Sequence, residues 1–338
     1  MTLVGCLTAL DVPILLGDFL VSDEDGSPVG GRKKIRRITS NVAVGYAGAL
    51  ISAETALAWL GEHLSGQAKK HEVEEALLGI DPTDCPRPVT LVGWVVDDGA
   101  NAFHWQSTNP EMVNWGGPWY IGSGGELLDH QVRHGFVGEE GAEGDDPRTS
   151  ALELITQLMA DEALDRVLRQ LAIGHAYEVM WWNNDTFEYI DNIHYIAMRT
   201  SYDAEGKVVG TAVVDRHFKY LTRDELSVIL KREGEGLHIY IHTPLGLRTP
   251  GKTDEAACRA LAKELESKTW LDVPADFYGL IFDIEAPGYA GGSPISVIPR
   301  DSESKLVKIE ETREATGIAI ADAALRWMFE QLQASGSS

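Results

Sequence analysis

Apolar positions cluster in short runs over the first fifty residues. This predicts strands from Leu3 to Leu7, Val12 to Leu16, Lys34 to Ile38 and Asn41 to Tyr46. Asp23-Glu-Asp-Gly-Ser-Pro28 and Thr39-Ser-Asn41 are turn-forming and divide these strands into two hairpins. From Ser52 the apolar spacing becomes helical at Ala56, Leu57, Leu60 and Leu64, and a second short helix is expected from Glu72 to Leu78. Strand patterning returns at Val89 to Val96, Ala102 to Gln106 and Trp119 to Ile121, with a helix expected after Gly122-Ser-Gly-Gly125. The acidic, glycine-rich stretch from Gly135 to Pro147 reads as a solvated loop. Leu152, Ile155, Leu158 and Met159, then Leu164, Val167, Leu168 and Leu171, predict one long helix or two shorter ones before a strand from Tyr177 to Trp182.

This order of elements suits helices packed outside a pair of stacked sheets, an α+β unit complete by about residue 190. Residues 1–190 are therefore expected to form one domain, and 191–338 a second α+β domain or an extension. The second part carries predicted strands at Tyr195 to Arg199, Val208 to Val214, Leu237 to His242 and Tyr278 to Ile284. Its predicted helices are Arg223 to Lys231, Glu255 to Glu266 and Ala315 to Leu332.

Composition removes several function classes. The chain has 338 residues, 44% hydrophobic and 24% charged, which excludes a disordered or fibrous protein. The net charge of −23 should repel nucleic acid and anionic lipid heads. No apolar run is long enough for a membrane helix, and Asp11 and Asp18 interrupt the N-terminal apolar stretch, against a secretory signal. Cys6, Cys85 and Cys258 form no CxxC pair, as expected in a reducing compartment, so a cytoplasmic location is the default. There is no HExxH pair; His130 and His134 stand at helical spacing, read as solvent-exposed, and neither a metal nor another cofactor is expected.

Candidate chemistry begins at Thr2. Removal of Met1, favoured by a small second side chain, would leave a threonine with a hydroxyl and a free α-amine. An α-amine titrates near about 7.7–8.0 and can serve as the hydroxyl's base. Asp18 follows an apolar strand and Lys34 opens the next strand-like segment. A lysine beside Thr2 would lower the α-amine's pKa, and a carboxylate would hold that lysine charged. Taken singly, Asp18 also reads as a turn residue and Lys34, within Arg32-Lys-Lys-Ile-Arg-Arg37, as solvated surface. Gly48, in Gly45-Tyr-Ala-Gly48, stands where a strand gives way to a helix, and its N–H could hold an oxyanion; an ordinary turn is the simpler reading. Ser123 adds a hydroxyl.

The segments Thr2-Leu-Val-Gly-Cys6, Leu16-Gly-Asp18, Lys34-Ile-Arg-Arg-Ile38, Val44-Gly-Tyr-Ala-Gly48 and Ile121-Gly-Ser-Gly-Gly125 together resemble the proteasome β-subunit family, most closely the bacterial HslV peptidases. The spacing agrees without a gap from Thr2 to Gly48. The resemblance implies a four-layer αββα sandwich of N-terminal nucleophile hydrolases with a C-terminal α+β extension. It implies Thr2 as nucleophile, Lys34 and Asp18 as the catalytic lysine and its carboxylate, Gly48 as oxyanion donor and Ser123 as partner of the α-amine. Val21, Tyr46 and Leu50 would line the pocket for the substrate side chain.

An unfolded protein or peptide substrate, a homo-oligomer that closes into a ring and an ATP-dependent unfoldase partner are further expectations of the resemblance. Two alternatives stay open: a small-amide hydrolase, and a non-catalytic proteasome-like scaffold that retains Met1. Within Leu171-Ala-Ile-Gly-His-Ala176 the chain departs from the family, with His175 where an acidic residue is common. The similarity fades after about residue 190.

Overall fold

The computed structural model describes residues 2–22, 28–133, 146–163, 177–203, 208–223, 226–233, 236–242, 275–285, 295–300, 307–311 and 316–320. It is a mixed α+β protein whose sheets are mostly antiparallel. The chain divides into two compact units, one of residues 1–154, 165–190 and 242–252, the other of 155–164, 191–241 and 253–338.

In the first unit the chain runs β1 (Val4–Ala9), β2 (Val12–Asp18), β3 (Leu20–Ser22), β4 (Pro28–Gly31), β5 (Ile35–Thr39) and β6 (Val42–Gly48), then α1 (Leu50–His63) and α2 (Lys70–Leu78). There follow β7 (Val89–Val96), β8 (Ala100–Gln106), β9 (Asn109–Trp115), β10 (Trp119–Ile121), α3 (Gly125–Gln131), α4 (Pro147–Ala163), of which only residues 147–154 count to this unit, β11 (Tyr177–Trp182) and β12 (Phe187–Tyr189). One five-stranded sheet has the order β10-β1-β2-β11-β12, the other β5-β6-β7-β8-β9, and β3 pairs with β4 in a short ribbon.

The strands β1, β2, β6 and β7 are buried along most of their length on both faces. Val4, Cys6, Leu15 and Met180 of the first sheet share one core with Ile35, Ala43, Val92 and Trp94 of the second. The opposite face of the second sheet, with Val42, Val44 and Tyr46, packs on Ala53, Leu57 and Leu60 of α1 and Val73 and Leu77 of α2. On the far side of the first sheet, Leu128 of α3 fills the place that a Cβ at Gly5 would need. Asn41 pins the β5–β6 turn, its side-chain amide donating to Ala68 O and Val96 O, both at 2.8 Å.

The second unit holds β13 (Ile193–Tyr202), β14 (Val208–Arg223), β15 (Leu226–Glu233), β16 (Gly236–His242), β17 (Phe277–Glu285) and β18 (Ile295–Pro299), a six-stranded sheet in the order β16-β15-β14-β13-β17-β18. β13 runs antiparallel to β14 but parallel to β17. A separate hairpin joins β19 (Val307–Glu311) to β20 (Thr316–Ile320).

Two helix expectations are corrected here. The segment Arg223 to Lys231 is not a helix: Arg223 ends β14, and Leu226–Glu233 is a strand paired antiparallel with it. Thr316–Ile320, inside the helix expected from Ala315, is likewise a strand paired with Val307–Glu311. In both places short-range spacing suited either structure, and a neighbouring strand decided between them. Residues 135–145 of the expected loop, the segments 164–171 and 255–266, and His175 lie outside the described residues.

Candidate active site

Thr2 stands at the head of β1, and a two-residue turn decides what lies beside it. Leu10 and Asp11 both take left-handed conformations, at φ 46° and 63°, as a tight hairpin connection requires. That turn pairs Ala9 with Val12 and carries the register out to Val4 opposite Gly17. The next step outward joins Leu3 to Asp18. The Asp18 N–H donates to Leu3 O at 3.0 Å, and Asp18 Oδ1 accepts the Leu3 N–H at 2.9 Å.

On the other edge of β1, Val4 pairs with Ile121 of β10, after which the chain turns at Gly122 with φ +85°. A Cβ there would overlap the Thr2 carbonyl, so glycine is required on steric and conformational grounds together. The Thr2 N–H donates to Ser123 Oγ at 3.2 Å, and the Gly124 N–H donates to Thr2 O at 3.2 Å. Thr2 is 9% exposed. Loss of Met1 would turn the nitrogen that faces Ser123 into a primary amine.

Lys34 arrives from the second sheet. The Tyr46 N–H donates to Lys34 O at 3.0 Å, which extends the β5–β6 ladder by one residue beyond Ile35 opposite Gly45. Gly17 leaves room for this approach, since its Cβ would lie 3.1 Å from Ile35 Cγ2 and 3.4 Å from Lys34 Cβ. Lys34 Nζ donates to Asp18 Oδ1 at 2.6 Å, with Lys34 2% and Asp18 0% exposed. The surface reading of Lys34 therefore gives way to a buried ion pair. One oxygen, Asp18 Oδ1, takes both the Lys34 ammonium and the Leu3 N–H, so the cation stands within two hydrogen bonds of the peptide that follows Thr2. Burial lowers the pKa of Lys34 from its ordinary value, while the carboxylates of Asp18 and Glu178 oppose the shift.

Gly48 ends β6 at φ +108°, with the Ala49 N–H donating to Pro88 O at 3.0 Å. A side chain at Gly48 would place its Cβ 2.5 Å from that carbonyl. Along β6 the N–H groups alternate in direction, and Tyr46 sends its own toward β5; the Gly48 N–H, two residues on, leaves the strand on the same edge. Val21 lies on β3, opposite Gly30. Tyr46 is buried in the core beneath α1, and Leu50 is half-buried against that core. Hydrogen bonds join Lys34 to Asp18, Asp18 to the Leu3 N–H and Thr2 to Ser123, so Asp18 and Lys34 reach Thr2 through the peptide of Leu3, whereas Tyr46 faces the helices.

Sequence reasoning missed a second ion pair beside the first. Lys33 Nζ lies 3.3 Å from Glu178 Oε2, both side chains buried, and sits 3.6 Å from the centre of the Tyr189 ring. The signal was present in the strand Tyr-Glu-Val-Met-Trp-Trp: a single charge in an apolar run, here among its four buried residues, must find a partner. Burial raises the pKa of Glu178 above the usual carboxylate value, and Lys33 opposes this.

A cavity of about 530 Å³ lies elsewhere in this unit, lined by Leu7, Lys70, Trp94, Trp115 and Tyr120 among others and by none of the sequence-predicted site residues. Among the described residues no cluster of His, Cys, Asp and Glu could hold a metal ion, and no helix is long and apolar enough to cross a membrane. No model of a known protein family matches the chain, and no curated protein matches it in sequence.

Proposed function

We propose that the chain is an N-terminal threonine hydrolase of the proteasome-like type, a peptidase that works through an acyl ester on Thr2 once Met1 has been removed. The observation that carries this reading is the buried Lys34–Asp18 pair hydrogen-bonded to the peptide after Thr2, with Ser123 on the Thr2 nitrogen. Two face-to-face five-stranded sheets, with α1 and α2 outside one and α3 outside the other, support the αββα arrangement of such enzymes.

In this reading the Lys34 ammonium disfavours a second positive charge nearby and keeps the α-amine of trimmed Thr2 neutral. The amine takes the proton from Thr2 Oγ as the oxygen attacks the substrate carbonyl carbon. The Gly48 N–H holds the oxyanion, and the α-ammonium so formed on Thr2 returns its proton to the leaving amine as the C–N bond breaks. Water, deprotonated by the same amine, then hydrolyses the ester and restores the threonine. No metal or cofactor enters this scheme. Peptides or unfolded chains are the substrates it implies, in a cytoplasmic homo-oligomer that shields the site.

The test has two steps. The intact mass of purified protein is expected to lack Met1, and a β-lactone that acylates a nucleophilic hydroxyl is expected to label Thr2. Thr2→Ala and Lys34→Ala should both abolish labelling in protein that remains folded. A retained Met1 would favour the scaffold alternative, and undiminished labelling of Thr2→Ala would sink the assignment.

A further inference from the structure

Asp18 by itself neutralises Lys34, yet a second buried anion grips the same stretch of chain. Glu178 of β11 stands directly opposite Gly17 of β2, so its side chain leaves the sheet on the face where Gly17 has none. That is the face on which Lys34 and Ile35 approach. Glu178 Oε1 accepts the Ile35 N–H at 3.4 Å, while Oε2 faces Lys33 Nζ. From β12 the Tyr189 hydroxyl donates to Ile35 O at 2.9 Å, and its ring covers the Lys33 ammonium. Residues 33–35 are thus held by an N–H, a C=O and a flanking cation, all by groups of the sheet that carries Thr2 and Asp18.

Two dehydrated charges are a costly way to fasten one strand to another, since apolar side chains of similar volume serve as well or better. Charge gives the pair a use beyond fastening: Glu178 is one of two anions whose fields favour the Lys34 ammonium.

We propose that Glu178 and Lys33 form a positioning pair for Lys34, fixing its main chain and balancing the charge behind it. This rests on the reading of Lys34 as the cation beside a reactive Thr2. The charged and titratable groups around Lys34 are Asp18 on β2, Glu178 on β11, Arg32 and Lys33 on its own segment, Tyr46 on β6 and Tyr189 on β12. Glu54 of α1 acts on Tyr46. Removing an anion from this set lowers the proton affinity of the remaining cations, and removing a cation raises it.

The test is the titration midpoint of Lys34 in the full chain, followed by NMR of lysine labelled at Cε and assigned by the signal lost in Lys34→Arg. In Glu178→Gln, which keeps an acceptor for Ile35 N–H, the midpoint should fall by about one pH unit, a tenfold loss of proton affinity. In Lys33→Met it should rise. The pH profile of Thr2 labelling should move in the same two directions, acidward and alkaline, whereas a purely structural role would lower labelling without moving the profile. An unmoved Lys34 midpoint in folded Glu178→Gln overturns the proposal. If that variant does not fold, an unmoved midpoint in Lys33→Met does so. Absence of labelling in the unaltered protein would defeat the hydrolase reading alone, because the Lys34 midpoints are read without activity.

Discussion

Replacing Asp18 by asparagine probes the centre of the candidate site with almost no change of shape. Asparagine Oδ1 can still accept the Leu3 N–H, now at 2.9 Å, so the β1–β2 register survives. What disappears is the charge opposite Lys34 Nζ, 2.6 Å away in a place only 2% exposed. Removing one member of a buried ion pair costs about 3–5 kcal/mol. Lysine can escape part of this by losing its proton, and for a lysine of ordinary affinity at pH 7 that escape costs ~4.6 kcal/mol, at about 1.36 kcal/mol per pH unit. The two figures agree, so Asp18→Asn is expected to lose about 3–5 kcal/mol at pH 7.

The pH dependence supplies the sign. In the variant, folded Lys34 binds its proton more weakly than the unfolded chain does, so the unfolded state holds more protons and stability rises with pH. The deficit should therefore shrink by about 1.4 kcal/mol per pH unit between the variant's Lys34 midpoint and the higher midpoint that Lys34 keeps beside Asp18 in the unaltered protein, itself below the ordinary lysine value. Urea denaturation followed by tryptophan fluorescence measures it, because Trp94 lies in the core between the two sheets with its indole N–H on Ile14 O at 2.9 Å. A deficit below about 1 kcal/mol, or one equal at pH 7 and pH 9, would refute the buried pair as drawn.

Other outcomes follow from the same geometry. Gly122→Ala places a methyl group against the Thr2 carbonyl at a φ of +85°, and should abolish Thr2 labelling and lower stability by at least about 1–3 kcal/mol, read by the same urea assay. Cys6 is fully buried with its thiol pushed well above its usual pKa, so iodoacetamide should alkylate it, by peptide mass mapping, only in denaturant. Rapid alkylation of Cys6 in native protein would contradict the core between the sheets.

Strand positions in the first unit were legible wherever apolar runs ended at turn residues. Val89–Val96, Trp119–Ile121 and Tyr177–Trp182 appear with the expected bounds. Short edge elements were not: β9, with Asn109, Pro110 and Glu111, and β12, of three residues, carry too little periodicity to stand out and exist because a neighbouring strand offers its edge. The segment Leu226–Glu233 shows the opposite failure, a run whose spacing suited a helix and whose partner strand made it β.

Residue chemistry raised Thr2, Asp18, Lys34, Gly48 and Ser123 one at a time, each with a simpler reading beside it, and only the resemblance to the proteasome β-subunit family joined them into one candidate set. The left-handed turn at Leu10 and Asp11 is local, and so is its consequence that Asp18 meets Leu3. The union of that hairpin with Lys34 was decided only by the packing of one sheet on the other. Burial, a property of the whole fold, turned a lysine-rich stretch from surface into two ion pairs. Glu178, some 140 residues beyond Lys33 in the chain, became its partner because β11 pairs with β2 and Gly17 leaves that space open. A contact so distant in sequence leaves no local pattern, since neither residue's near neighbours determine it.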